Sequence, residues 1–72
     1  MLTELIDRLN RPDFVPFAII MSDGARHEVP TRDHCTVTRL LHRIEVESDK
    51  PSIAWINPLH IVRLEQIQEP AA

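Results

Sequence analysis

The sequence predicts a mainly β domain: a small antiparallel barrel preceded by a short N-terminal α-helix. Three observations carry that expectation. Apolar residues recur at spacings of three and four only as far as Leu9, and from Phe17 onward the period drops to two. The chain's single glycine, Gly24, follows an aspartate between two strand-like runs. Turn-forming residues then punctuate a series of short alternating segments, the pattern of consecutive antiparallel strands.

The helix comes first. Leu2, Leu5, Ile6 and Leu9 share one stripe, Thr3 is placed to cap the start, and Pro12 ends the run. A helix this short does not stand alone in water, so its stripe must dock on the remainder of the chain. In the first strand Phe17, Ile19 and Met21 alternate with Ala18, Ile20 and Ser22, and both sets are largely apolar. Both faces therefore need cover, one from the interior and the other from the helix or a second subunit. Asp23-Gly24 reads as a two-residue type I′ turn, in which both central residues take positive φ.

The return strand is "ARHEVP", closed at an edge position by Pro30. "HCTVT" is a third short strand, with Cys35 and Val37 on one face and His34, Thr36 and Thr38 on the other. "RIEVES" alternates most clearly: Ile44 and Val46 point inward, Arg43, Glu45 and Glu47 outward. A turn at Asp49-Lys50-Pro51-Ser52 leads into "IAWIN", where either Trp55 or its neighbours Ala54 and Ile56 must face out. Core placement of Trp55 is the expectation, which leaves Ile56 and its neighbours as candidate contact residues. Pro58 breaks the strand, and "HIVRLEQI" closes the fold with Val62 and Leu64 alternating against Arg63 and Glu65. Residues 1–68 form one domain and 69–72 a frayed tail.

Short consecutive strands protect their edges by closing on themselves, and a one-turn break before a closing strand is how SH3-like and Sm-like barrels end. The helix-first order, with "DGARHEV" and later "LHIVRLEQI", resembles the Sm-type version. More of the chain, from Leu2 to Glu65, resembles a group of short uncharacterised bacterial proteins. The segments that carry this likeness are "RPDFVPFAIIMSDGARHEVP" and "LHIVRLE". That group has a Pro-Phe-x-Pro-Phe-like entry, an Asp-Gly hairpin and a closing His-Ile-x-x-Ile/Leu-Glu strand. Here Asp13 is inserted into the usual entry spacing, and Ala25 stands where arginine is usual. The resemblance implies ancestry and fold; the group has no established activity to transfer.

Composition narrows the function classes. A chain of 72 residues with one cysteine, Cys35, has no intramolecular disulfide, so stability rests on packing, self-association or a metal. No apolar run approaches the roughly 20 residues of a membrane span, and the acidic start lacks a basic leader. With the free thiol, this predicts a cytoplasmic protein. Net charge is -3, which opposes nonspecific nucleic-acid binding, although Arg26, Arg32, Arg39 and Arg43 make residues 26–43 locally basic. These four arginines, with Trp55 and Ile56, are the candidate interaction residues.

Catalytic parts are missing. Asp33-His34-Cys35 suggests a metal or nucleophile, but on a strand His34 and Cys35 point to opposite faces. A zinc site would have to recruit His27, His42 or His60 from elsewhere, and no paired ligand spacing is present. Glu45 and Glu47 share a solvent-facing strand surface, and Gly24 stands alone, so no glycine-rich loop cradles phosphate. The sequence thus predicts a noncatalytic protein-binding module without cofactor or metal. Self-association as a homodimer or ring through a strand edge is expected, and nucleic-acid binding is the alternative.

Overall fold

The computed structural model describes residues 1–38, 43–48 and 52–67. Helix α1 spans Leu2–Asn10, followed by β1 (Phe17–Met21), β2 (Arg26–Val29), β3 (Cys35–Val37), β4 (Ile44–Ser48), β5 (Ser52–Ile56) and β6 (Ile61–Gln66). One-turn 3₁₀ helices at Arg32–His34 and Pro58–His60 precede β3 and β6. Two three-stranded antiparallel sheets result, ordered β2-β1-β6 and β3-β4-β5. The expected closed barrel is not formed among the described residues: β2 and β6 are the edges of one sheet, β3 and β5 of the other. No described helix is long and apolar enough to cross a membrane. The predicted turn at 49–51 and the tail lie outside the described residues.

Between the sheets lies one core of Leu5, Phe17, Ile19, Val29, Cys35, Ile44, Val46, Ile56 and Ile61. The helix supplies Leu5, with Leu2 and Leu9 packed beside it. Its start carries no side-chain cap, so the expected Thr3 cap is absent; the Leu5 amide donates to the Met1 carbonyl at 3.0 Å. The end is set by Pro12, which drives Arg11 into extended backbone (φ -62°, ψ 137°).

Strand β1 pairs on both sides. Phe17 lies opposite Val29 and Gln66, and Ile19 opposite His27 and Leu64. Ala18 and Ile20 are also buried, on the opposite face, where the helix was one expected cover. Their cross-strand neighbours are instead Glu28 and Glu65 for Ala18, and Arg26 and Arg63 for Ile20. Glu65 draws both arginines together, each at 3.5 Å. Exposed pairs of this kind contribute only ~0–1 kcal/mol as ion pairs. Their aliphatic stems share the face of Ala18 and Ile20 and are the described side chains placed to shield it. This cover is intramolecular, so Ala18 and Ile20 do not require a second subunit.

Two register details depart from expectation. The β1–β6 ladder shifts between Ile20, opposite Arg63, and Met21, opposite Ile61, which leaves Val62 as an extra residue. This bulge turns Val62 outward at 51% exposure and buries Ile61. The inward residues of β6 are therefore Ile61 and Leu64, three apart, and simple alternation through Val62 fails. The β1–β2 loop is also longer than two residues. Gly24 N donates to Met21 O at 3.0 Å, and Met21 N to Ala25 O at 2.9 Å, enclosing Ser22-Asp23-Gly24. Gly24 alone supplies the left-handed conformation (φ 89°), the three-residue hairpin with a glycine bulge, while Asp23 Oδ1 accepts from Ala25 N at 2.9 Å.

A Cβ at Gly24 would meet nothing within 4 Å, so any penalty for a side chain there is one of backbone conformation. Gly24→Val is expected to cost about 1–2 kcal/mol, and Gly24→Asn distinctly less, because Asn tolerates positive φ. Urea melts of the two variants check this; equal stabilities would contradict the backbone explanation.

Candidate interaction surface

The surface begins with the β4–β5 register. Ile44 lies opposite Ile56, and Val46 opposite Ala54, so the inward set of β4 dictates the inward set of β5. Trp55 then shares a face with Glu45, and Ile53 with Glu47. The expected core placement of Trp55 is thereby overturned: it is 61% exposed and Ile53 55% exposed. Ile56, expected as an exposed contact residue, is buried at 3%. Side chains directly opposite in an antiparallel pair must share a face, and Glu45 belongs outside.

Beside these residues the two sheets stand open. One groove of about 460 Å³ is lined by Met21, Asp23, His27, Trp55, Asn57 and His60, among others. A second, of about 280 Å³, lies between β2 and the β4–β5 pair and includes Arg26, Glu28, Val46, Glu47, Ile53 and Ala54. His27 lines both, so together they mark a cleft between the β2 edge and β5. The lower end is shaped by the Asn57-Pro58 turn. Asn57 Oδ1 accepts from Leu59 N at 2.9 Å, and Pro58 enters the 3₁₀ turn without a donor to lose.

The electrostatics of this face are acidic. Burial, together with the hydrogen bond and like charge of Glu47, holds the Glu45 carboxyl above the usual carboxylate range. Asp23, Glu28 and Glu47 form no ion pair among the described residues, whereas Arg26 is already engaged by Glu65.

Of the candidate arginines, the described Arg26, Arg32 and Arg43 stand on separate elements. Arg26 sits on the outer face of β2. Arg32 donates from Nη2 to the Arg11 carbonyl and lies over the Phe14 ring, its guanidinium carbon 5.6 Å from the centroid. Arg43 stands at the start of β4, its amide donating to Thr38 Oγ1 at 3.2 Å, beside a groove of about 590 Å³ that also contains Met1 and Leu59. Arg39 and His42 lie outside the described residues. Arg26, Arg32 and Arg43 each border a different groove.

The Asp33-His34-Cys35 motif divides between elements. Asp33 and His34 belong to the 3₁₀ turn, and a 2.8 Å hydrogen bond joins His34 Nδ1 to Thr31 Oγ1, while Cys35 opens β3 and packs into the core. Burial pushes the Cys35 thiol up to about 11, the reverse of what a thiolate nucleophile needs. Among the described residues, no three His, Cys, Asp or Glu side chains gather as a metal site.

Sequence reading missed Ile53 and the cleft itself. The obtainable signal was cross-strand: once Glu45 faces solvent, a residue paired with it does too. Comparison with protein-family models, curated proteins and solved structures finds no match.

The Cys35 environment predicts slow reaction with a disulfide reagent at pH 8 in the native state and full reaction in denaturant. The folded thiol ionises near 11 and the unfolded one near 9.0, so the unfolded state releases its proton first. The stability associated with this shift is intact below pH 9 and declines as pH rises from 9 toward 11. Urea melts should show the gap between the parent and Cys35→Ala narrowing over that interval. A constant gap would contradict the assignment.

Proposed function

We propose that this chain is a noncatalytic protein-interaction module whose contact surface is β5 and the adjoining cleft. Exposed Trp55 carries the reading. In so small a chain the one tryptophan would contribute greatly to a core, yet it stands outside with Ile53, on an edge strand. The architecture we assign is an SH3-like or Sm-like half-open barrel. Support comes from the helix-first order, the 3₁₀ turn before the last strand, and the return of β6 to pair with β1. The unpaired, buried thiol fits a reducing compartment such as the cytoplasm.

Self-association is weighed within this reading. Its sequence argument rested on Ala18, Ile20, Ala54 and Ile56, of which Ala18, Ile20 and Ile56 are buried and Ala54 half-buried within the chain. What remains is Ile53 and Trp55. At 61% exposure, an aromatic side chain of 150–250 Å² presents only about 100–150 Å². A stable interface takes roughly 800 Å² from each partner, so these two residues alone fit a small, transient contact and not a permanent dimer. Nucleic-acid binding requires the arginines to act together, and no observed arrangement favours it.

Light scattering at tens of micromolar is expected to give a mass near 8.3 kDa that does not change with concentration. In a pull-down from the native host, Trp55→Ser and Ile53→Ser should lose the partner while changing stability by less than about 1 kcal/mol. Ile56→Ala should instead cost about 2–4 kcal/mol by opening the core. A partner retained equally by both surface variants would remove β5 from the reading. A micromolar gel shift with random RNA, weakened steeply by salt, would replace the reading with the nucleic-acid one.

A further inference from the structure

We infer that the cleft between β2 and β5 captures an extended segment of another protein, one in which basic and apolar residues alternate. This deepens the interaction-module reading and rests on it. Two independent features of the cleft specify the occupant.

The first is backbone. Strand β2 pairs only with β1, and β5 only with β4. Among the described residues no other backbone group bonds the outer edge of either strand. Such an edge is a template for one more strand, whose main-chain hydrogen bonds provide affinity and whose alternate side chains provide specificity. A five-residue strand such as β5 spans about 17 Å, enough for five or six residues of a guest. Val46, Ala54 and Met21 offer apolar contacts to one side of that guest, and Trp55 to the other.

The second is charge. Asp23, Glu28 and Glu47 line the cleft without a cationic partner among the described residues, and Glu45 lies directly across the strands from Trp55. Arg26, the one Lys or Arg among the described lining, shares the Glu65 carboxylate with Arg63, and the described lining still holds more carboxylates than arginines. A lysine or arginine on the guest gains these carboxylates and the face of the Trp55 indole. The β5 edge of a second copy is poorly matched: Ser52-Ile53-Ala54-Trp55-Ile56 brings no cation, and its neighbouring carboxylates repeat the same sign; the β2 and β6 edges bring one arginine each, already held by Glu65. Nucleic acid is mismatched in sign altogether.

Trp55, the only tryptophan, lines the cleft and reports its occupancy. The full chain is titrated with three capped peptides: (Lys-Val)₃, (Glu-Val)₃, and (Lys-Val)₃ N-methylated at alternate residues. The first should change Trp55 emission saturably, with affinity falling as salt rises. The second and third should bind at least about tenfold more weakly. Glu28→Gln combined with Glu47→Gln, both exposed, should weaken the first peptide severalfold without altering the melting temperature. Equal binding by the N-methylated peptide overturns strand addition, and equal binding by (Glu-Val)₃ overturns the charge assignment. No binding by any peptide overturns the inference. If the β5-dependent pull-down still succeeds, or scattering shows dimerisation abolished by Trp55→Ser, the interaction module stands with a different partner. If those measurements also fail, the module reading falls as well.

Discussion

The fold depends on one strand being covered on every side. Strand β1 is paired along both edges, and Phe17, Ala18, Ile19 and Ile20 are all buried. Phe17 is the pivot: the Phe14 ring lies 6.0 Å away, and the Arg8 guanidinium carbon sits 5.7 Å from its centroid. Arg8 also reaches Glu4 at 3.7 Å, while its Nε is buried without a hydrogen-bond partner. A buried donor left unmatched costs on the order of 1–3 kcal/mol, which the stacking on Phe17 offsets in part. The helix is thus anchored through Leu5 in the shared core and through Arg8 over the Phe17 ring.

Concentrating burial at β1 leaves the second sheet with less. Its inner face has Cys35, Val46 and Ala54 in one row, and Val37, Ile44 and Ile56 in the next. No element covers its outer face among the described residues, where Thr36, Glu45 and Trp55 form a row. The two faces of β1 meet different materials, a hydrocarbon core on one side and cross-strand Arg26, Glu65 and Arg63 on the other. The outer face of β4 and β5 has carboxylates and indole, and no arginine lies opposite them in the ladders. Among the described residues, the two arginines that pair with Glu65 flank β1, and the outer face of β4 and β5 is left with carboxylates and the indole.

Much of this was legible in the sequence because it depended on local period. The helix stripe, the double burial of β1, the clean alternation of β4 and the need for glycine at position 24 all follow from neighbours in the chain. What escaped depended on pairing. Val62 looks like a core residue until the bulge opposite Ile20 and Met21 turns it outward, and Trp55 looks like a core residue until Glu45 is found opposite. The three-residue hairpin differs from the two-residue one by which carbonyl Met21 N reaches, a choice that Asp-Gly alone does not make. Of the candidate contact residues, Trp55 and Arg26 line the cleft, whereas Ile56 lines it from a buried position and Arg32 and Arg43 border other grooves.

The open edge and the small size of the domain are linked. A chain of 72 residues buries only about 60% of its unfolded surface and has little stability in reserve. A guest strand would complete the ladder from outside, and anything that binds only the folded state stabilises it by mass action. Keeping the cleft acidic limits which strands can do so, since uncharged or acidic edges gain nothing from Asp23, Glu28 and Glu47. The same carboxylates oppose pairing of β5 with β5 of another copy, one form of the usual hazard of an exposed strand. In the proposed capture of a basic strand, one arrangement of charge would both select the guest and disfavour β5-to-β5 aggregation.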